Sequence, residues 1–294
     1  MPIDYETLRN FPIPEVRQRF GTRDTIFYAL SIGLGQDPMD ARQLDFVDHH
    51  RRLRAMPSMA VVLGHPGFWL ADPATTADAL RLVHGEQGLR IHHPLPVAGE
   101  ILGRTRVTGL IDKGAGAAAL LTTEKEVVEA ATGRCLATST STIVLRGQGG
   151  FGGPAGPVKP LPPAPSGSPD LQAEFATRPE QALYYRLNGD DNPLHADPAV
   201  AAKAGFPRPI LHGLCTLGIV CHALIARLAD YDAARLRALD LRFSAPVFPG
   251  ETIRTEIWRS GAFQARALER DVLVVTNGRV AFDSNQSRIA GRAP

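Results

Sequence analysis

The sequence has little cysteine, little lysine and no long apolar run. It holds three cysteines, Cys135, Cys215 and Cys221, in 294 residues. An odd number without short spacings excludes a disulfide-built scaffold, and no pair has zinc-ligand spacing. No HExxH string occurs either. Of 32 basic residues only Lys113, Lys125, Lys159 and Lys203 are lysines, and the formal net charge is +2. No broad basic excess is available for a phosphate backbone, which argues against nucleic acid as a partner. The longest apolar run, Leu214–Ala229, contains His222 and Arg227 and falls short of the ~20 residues of a membrane span. The opening stretch MPIDYETLRNFPIPEV is acidic and broken by prolines. It lacks the basic-then-apolar layout of a secretory leader, so the chain reads as cytoplasmic, without membrane association.

What remains is ordinary globular composition, 44% hydrophobic and 21% charged. At ~150 residues per domain the length suits two domains. Residues 147–169, GQGGFGGPAGPVKPLPPAPSGSP, are Gly-rich and then Pro-rich. That composition holds neither a helix nor a central strand, so it reads as a linker between domains at 1–146 and 170–294.

The two halves show similar orders of elements. In the first, Asp24 can cap a helix through Thr25–Leu34. Strand-like runs follow at Ile101–Leu110, Ala117–Val128 and Arg134–Arg146. In the second, a helix-like run covers Leu214–Ala229. Strand-like runs follow at Leu239–Ser244, Thr252–Arg259, Ala262–Glu269, Val272–Thr276 and Val280–Asp283, with Asn277-Gly278 as a hairpin signal. His84-Gly85 in HGEQ pairs with His212-Gly213 in HGLC, and each is followed by a proline, a Gly-Glu and an alternating strand. This order points to a duplicated domain in which an antiparallel sheet packs over a helix, an α+β architecture.

The chemistry concentrates in residues 184–216, YYRLNGDDNPLHADPAVAAKAGFPRPILHGLCT. Asn188-Gly189 breaks the preceding element, and Asp190, Asp191 and Asn192 crowd into a turn that Pro193 stiffens. Asp197 can cap a helix with Pro198 at its first position and Gly205 at its end. Asp190 and His195 therefore sit on a stiff loop between ordered elements. A carboxylate and an imidazole held there can grip a water between them and move its protons. Downstream, His212-Gly213 precedes the apolar helix, whose first amides are unpaired and can hold a developing oxyanion.

The string YRLNGDDNPLHADP followed by PILHGLCT resembles the hydratase 2 motif of the MaoC-like dehydratase family, which includes the R-specific enoyl-CoA hydratases. Asn188 stands where Ser or Thr is commoner. In the first half RDTIFYALSIGLG, LVHGEQ and LRGQGGFGG resemble the N-terminal domain of two-domain members, so the likeness spans most of the chain. The resemblance implies two tandem hot-dog domains, each a sheet wrapped around a long helix, packed as a pseudo-dimer. It implies a catalytic pair, Asp190 and His195, with Asn192 in support and the Gly213 N–H as donor to the thioester oxygen. Asp191 falls at a variable position. The first half has YALSIGLG against YYRLNGDD, so it lacks the pair and is free to accommodate an acyl chain. The implied reaction is reversible hydration of trans-2-enoyl-CoA to (3R)-3-hydroxyacyl-CoA, with coenzyme A as part of the substrate, no other cofactor, no metal and a homodimeric assembly.

Blander readings stand beside this one. An acyl-CoA thioesterase and a non-catalytic acyl-CoA-binding protein are the alternative functions. His212 and His84 read as structural residues, and His49, His50, His92 and His93 as surface or strand residues. Cys215 reads as a small buried side chain rather than a nucleophile. Gly147, Gly149 and Gly152 spell GxGxxG, but prolines follow where a dinucleotide site needs a helix.

Overall fold

Burial follows the alternation of the sequence along most of the strands. In the computed structural model, residues 3–157 and 160–283 are described. The first half contributes α1 (Tyr5–Arg9), β1 (Val16–Phe20), α2 (Thr22–Ser31), α3 (Leu44–Val47), β2 (Leu82–Ile91), β3 (Gly99–Asp112), β4 (Ala119–Glu129) and β5 (Cys135–Leu145). The second contributes β6 (Leu171–Ala176), α4 (Gln181–Tyr185), α5 (Pro198–Lys203), α6 (Gly213–Ala229), β7 (Leu236–Phe243), β8 (Thr252–Ile257), β9 (Ala262–Ala267) and β10 (Val272–Phe282). Between β5 and β6 the described residues form neither helix nor strand. The chain ends assigned above to the two domains, 1–2 and 284–294, and residues 158–159 of the linker lie outside the described residues.

All ten strands join one antiparallel sheet in the order β1-β3-β4-β5-β2-β7-β10-β9-β8-β6. Five strands of one half thus continue into five of the other. The seam is the pairing of β2 with β7, running from Glu86 opposite Arg242 to Arg90 opposite Ala238. Arg90 and Arg242 of the seam are ion-paired to Asp240 and Glu86 across it. This is a double hot-dog.

Helix α6 is the core of the second half. Its residues from Cys215 to Ile225 are all buried, as expected of a helix that is apolar on every side and packed on several. One side lies against the sheet, and another meets the first half. Gly218 permits that approach, because a Cβ there would lie 2.5 Å from Ile32 Cγ2.

The first half departs from the expectation of one long helix. A five-residue 3₁₀ turn, Pro57–Val61, packs against α6. Pro57 starts the turn, and Gly64, at φ +61° and packed against the Gly103 backbone, turns the chain soon after it. In β4 the alternation carries a lysine inward: Lys125 shares the buried face with Leu121, Thr123 and Val127. Its Nζ donates to the carbonyls of Val61 (2.8 Å) and Leu63 (2.6 Å).

Three local expectations are corrected. Helix α2 begins three residues earlier than expected, with Gly21 at the N-cap. Asp24 stands inside the first turn and accepts the Gly21 N–H at 2.7 Å, which is the return half of a capping box. Asn277-Gly278 does not turn a hairpin: β10 runs through it, with a bulge between Thr276 and Arg279 that Asn277 enters at φ +57°. The His-Gly strings are not equivalent, since His84-Gly85 lies within β2 and His212-Gly213 opens α6. The Gly-Glu strings are equivalent: Gly99-Glu100 opens β3, and Gly250-Glu251 precedes β8.

Candidate active site

The loop between α4 and α5 carries the expected residues. Helix α4 continues into a 3₁₀ turn, Arg186–Asn188, which Gly189 ends at φ +108°. Asn188 ties this turn to the first half by donating to Ser31 Oγ at 2.9 Å. Asp190 follows, and its Oδ1 accepts the Asn192 N–H at 3.3 Å. The Asn192 side chain in turn caps the turn Pro193–His195, accepting the Leu194 N–H at 3.0 Å. Asn192 therefore holds the bend that presents His195. Asp197 caps α5, with Pro198 at its first position.

His195 is half-buried, and its Nδ1 lies 2.8 Å from the Ile210 carbonyl. A carbonyl only accepts, so Nδ1 carries the proton and Nε2 keeps its lone pair. Burial pushes its pKa below the ordinary 6.5, partly offset by the Ile210 bond and the Asp190 charge. The neutral, proton-accepting ring is thus the resting form. A carboxylate oxygen of Asp190 and a ring nitrogen each of His195 and His212 lie within 4.8 Å of one another. One water within hydrogen-bond reach of two such atoms fits that separation.

Gly213 opens α6 at its first position, beyond the reach of any intrahelical acceptor. The Phe243 ring sits 3.3 Å from where a Cβ on Gly213 would be, so any side chain there meets an aromatic wall. The site thus brings together all four expected residues: Asp190, Asn192 and His195 on one loop, and Gly213 at the helix start that His212 joins to it. Asp191 is exposed, and its carbonyl accepts from Arg186. Cys215 is fully buried and burial drives its thiol pKa well up, as suits a packing residue.

Sequence reasoning missed the contribution of the first half. His84 packs edge-on against Phe243, with ring centroids 5.0 Å apart, and its buried Nε2 has no hydrogen-bond partner. His84 and His65 both feel the Asp190 charge, and burial holds the His84 pKa below the ordinary histidine value. The His in HGEQ was the available signal for one of them; His65 had none.

Asp190, His195 and His212 also form a potential ligand trio for a metal. The two imidazoles, however, are stacked at 3.7 Å with 29° between their planes. In-plane lone pairs of stacked rings run side by side rather than converge, and one nitrogen of each ring already faces a carbonyl. That arrangement suits a bridging water better than an ion. Two surface grooves elsewhere, one beside Arg9 and Arg106 and one between Asp40 and Arg227, share no residue with this cluster.

Comparison with known proteins agrees with this layout. Residues 161–280 match the MaoC like domain, and residues 19–147 match the MFE-2 hydratase 2 N-terminal domain. The chain is 42% identical over 239 residues to the 3-hydroxyacyl-thioester dehydratase Y of Mycobacterium tuberculosis, covering 81% of each chain. It is 39% identical over 281 residues to the peroxisomal enoyl-CoA hydratase 2 of Arabidopsis thaliana, covering 90% of each. A solved MaoC-like dehydratase from Phytophthora capsici superposes with a TM-score of 0.83 at 31% identity, covering 97% of this chain and all of that one. With its hydratase 2 motif in the second of two hot-dog halves, the chain belongs to the MaoC-like dehydratases of the two-domain, enoyl-CoA hydratase 2 type.

Proposed function

We propose that the protein catalyses the reversible hydration of trans-2-enoyl-CoA to (3R)-3-hydroxyacyl-CoA. The observation that carries this reading is the Asp190 carboxylate beside the His195 ring, with both joined to the start of α6. A water between Asp190 and His195 gives its oxygen to C3 of the enoyl thioester. Its proton passes to the pair, and the pair returns a proton to C2. The thioester oxygen carries the enolate charge in between, and the Gly213 N–H receives it. Asn192 keeps the bend in place.

The first half accommodates the acyl chain. The short turn Pro57–Val61 in place of a core helix supports this assignment. Coenzyme A enters only as part of the substrate, and the assembly is a homodimer in the cytoplasm. Among the described residues no helix is long and apolar enough to cross a membrane.

The test is a panel of trans-2-enoyl-CoA thioesters of increasing chain length. Loss of the enoyl absorbance, with no thiol released and a (3R) product, is the expected result. Release of free thiol would make the protein a thioesterase instead. Binding of enoyl-CoA without turnover would make it a non-catalytic acyl-CoA-binding protein.

A further inference from the structure

His212 touches the Asp190 loop, the His195 ring and the start of α6. Its carbonyl accepts the Cys215 and Thr216 N–H groups, both at 3.1 Å, and so begins the helix whose first amide is Gly213. Its ring lies under His195 with centroids 3.7 Å apart. Its Nε2 lies 3.1 Å from the Asp190 carbonyl, so Nε2 carries the proton and donates it. The side chain is buried, with the Tyr185 ring 5.1 Å from its own. This bond links the Asp190 loop directly to the start of α6.

We infer that His212 is a positioning residue for the hydration reaction, acting through two separable contacts. The Nε2–H bond sets where the Asp190 backbone stands relative to Gly213. The ring plane fixes His195 and shields it from water. The inference rests on the site reading given above.

The groups facing this stack are few. Asp190, Arg186 and His195 act electrostatically on His212; Asp190 and Arg186 act on His195. Tyr185 is buried beside it and stays protonated, its pKa raised by burial. Burial, reinforced by His195, pushes the His212 pKa down to about 3. His212 therefore stays neutral and adds no charge next to His195, which keeps its own proton-accepting form at neutral pH.

Two substitutions separate the contacts. His212→Phe keeps an aromatic plate under His195 and removes the donor to Asp190. His212→Gln removes the plate and retains an N–H near the place of Nε2. For His212→Phe we expect kcat to fall about 10- to 100-fold, as for an ångström-scale misplacement, with KM within about twofold and the acid limb of kcat/KM where the wild type has it. For His212→Gln the acid limb moves upward, toward the pKa of a solvated imidazole, because His195 gains water. Thermal melting and circular dichroism of each variant show whether it is folded. Wild-type kcat and an unmoved acid limb in both variants would overturn the inference. So would losses of activity that track only the fraction of folded protein. Asp190→Asn serves as the control. If it retains turnover, the site reading itself fails; if it is inactive while both His212 variants are unimpaired, only the role of His212 fails.

Discussion

Phe243 lies against the first residue of α6: its Cζ is 3.3 Å from the position of a Cβ on Gly213. The ring comes from β7, next to the seam, and His84 from the first half packs edge-on against it with ring centroids 5.0 Å apart. The amide proposed to receive the enolate charge is therefore set by a stack of side chains drawn from both halves.

This contact makes Gly213 sensitive to a single methyl. Gly213→Ala must push either Phe243 or the helix start by a few tenths of an ångström or more. We expect kcat to fall by up to about 100-fold, the scale of an ångström-sized misplacement, while the protein stays folded. Adding Phe243→Leu makes room and recovers part of the loss. Steady-state kinetics of both singles and the double give the coupling; wild-type kcat in Gly213→Ala would detach this amide from the chemistry.

Asp190→Asn and His195→Gln remove the acid–base pair with little change in shape. Each is expected to reduce kcat by about 100- to 10,000-fold, with an unchanged melting curve. Turnover near wild type in either variant would remove that residue from the mechanism.

The pH profile follows from the His195 environment. Burial favours its neutral form, so its pKa lies below the ordinary 6.5. The reaction in the hydration direction needs that neutral form, and kcat/KM reports the free enzyme. Its acid limb should therefore fall below pH 6.5. A limb at or above that value would mean a solvated, exposed ring.

Lys125 makes stability depend on alkaline pH. Burial lowers its pKa from 10.5 to about 7. Between those values the unfolded chain holds a proton that the folded one has released, so folding stability rises with pH across that window. Below about pH 7 both states are protonated and the cost of burying the charge is fully present. Denaturant midpoints from pH 7 to 10 should rise more steeply for the wild type than for Lys125→Met. Lys125→Met also leaves the Val61 and Leu63 carbonyls without that donor, at about 1–3 kcal/mol for each group left unsatisfied. Identical pH slopes would show that the ammonium is solvated.

The second half was largely legible in the sequence, because its signals are local. Helix α6 announces itself by a long, mostly apolar run, and the Asp190–His195 loop by Gly189, Pro193 and the Asp197 cap. The failures come where one local signal serves two structures. Asn277 adopts a left-handed conformation in a bulge as readily as in a hairpin turn, and only pairing with β7 decides between them. Asp24 can cap a helix from outside or bond back from within its first turn. What no periodicity carries is contact between the halves. Asn188 meets Ser31, and Gln181 donates to the Ser31 carbonyl, across more than a hundred residues of chain. His65 and His84 enter the field of Asp190 by the same long-range closure.

The strand junction of β2 and β7 spans five residue pairs, and the packing of α6 on Pro57–Val61 and the bonds of Asn188 and Gln181 to Ser31 complete the contact between the halves. Carried on one chain, the partner strand is present at an effective concentration on the order of millimolar. Tethering also relieves the two copies of identity. One can shed its core helix and its acid–base loop while the other keeps both, a division of labour closed to a symmetric pair of identical subunits.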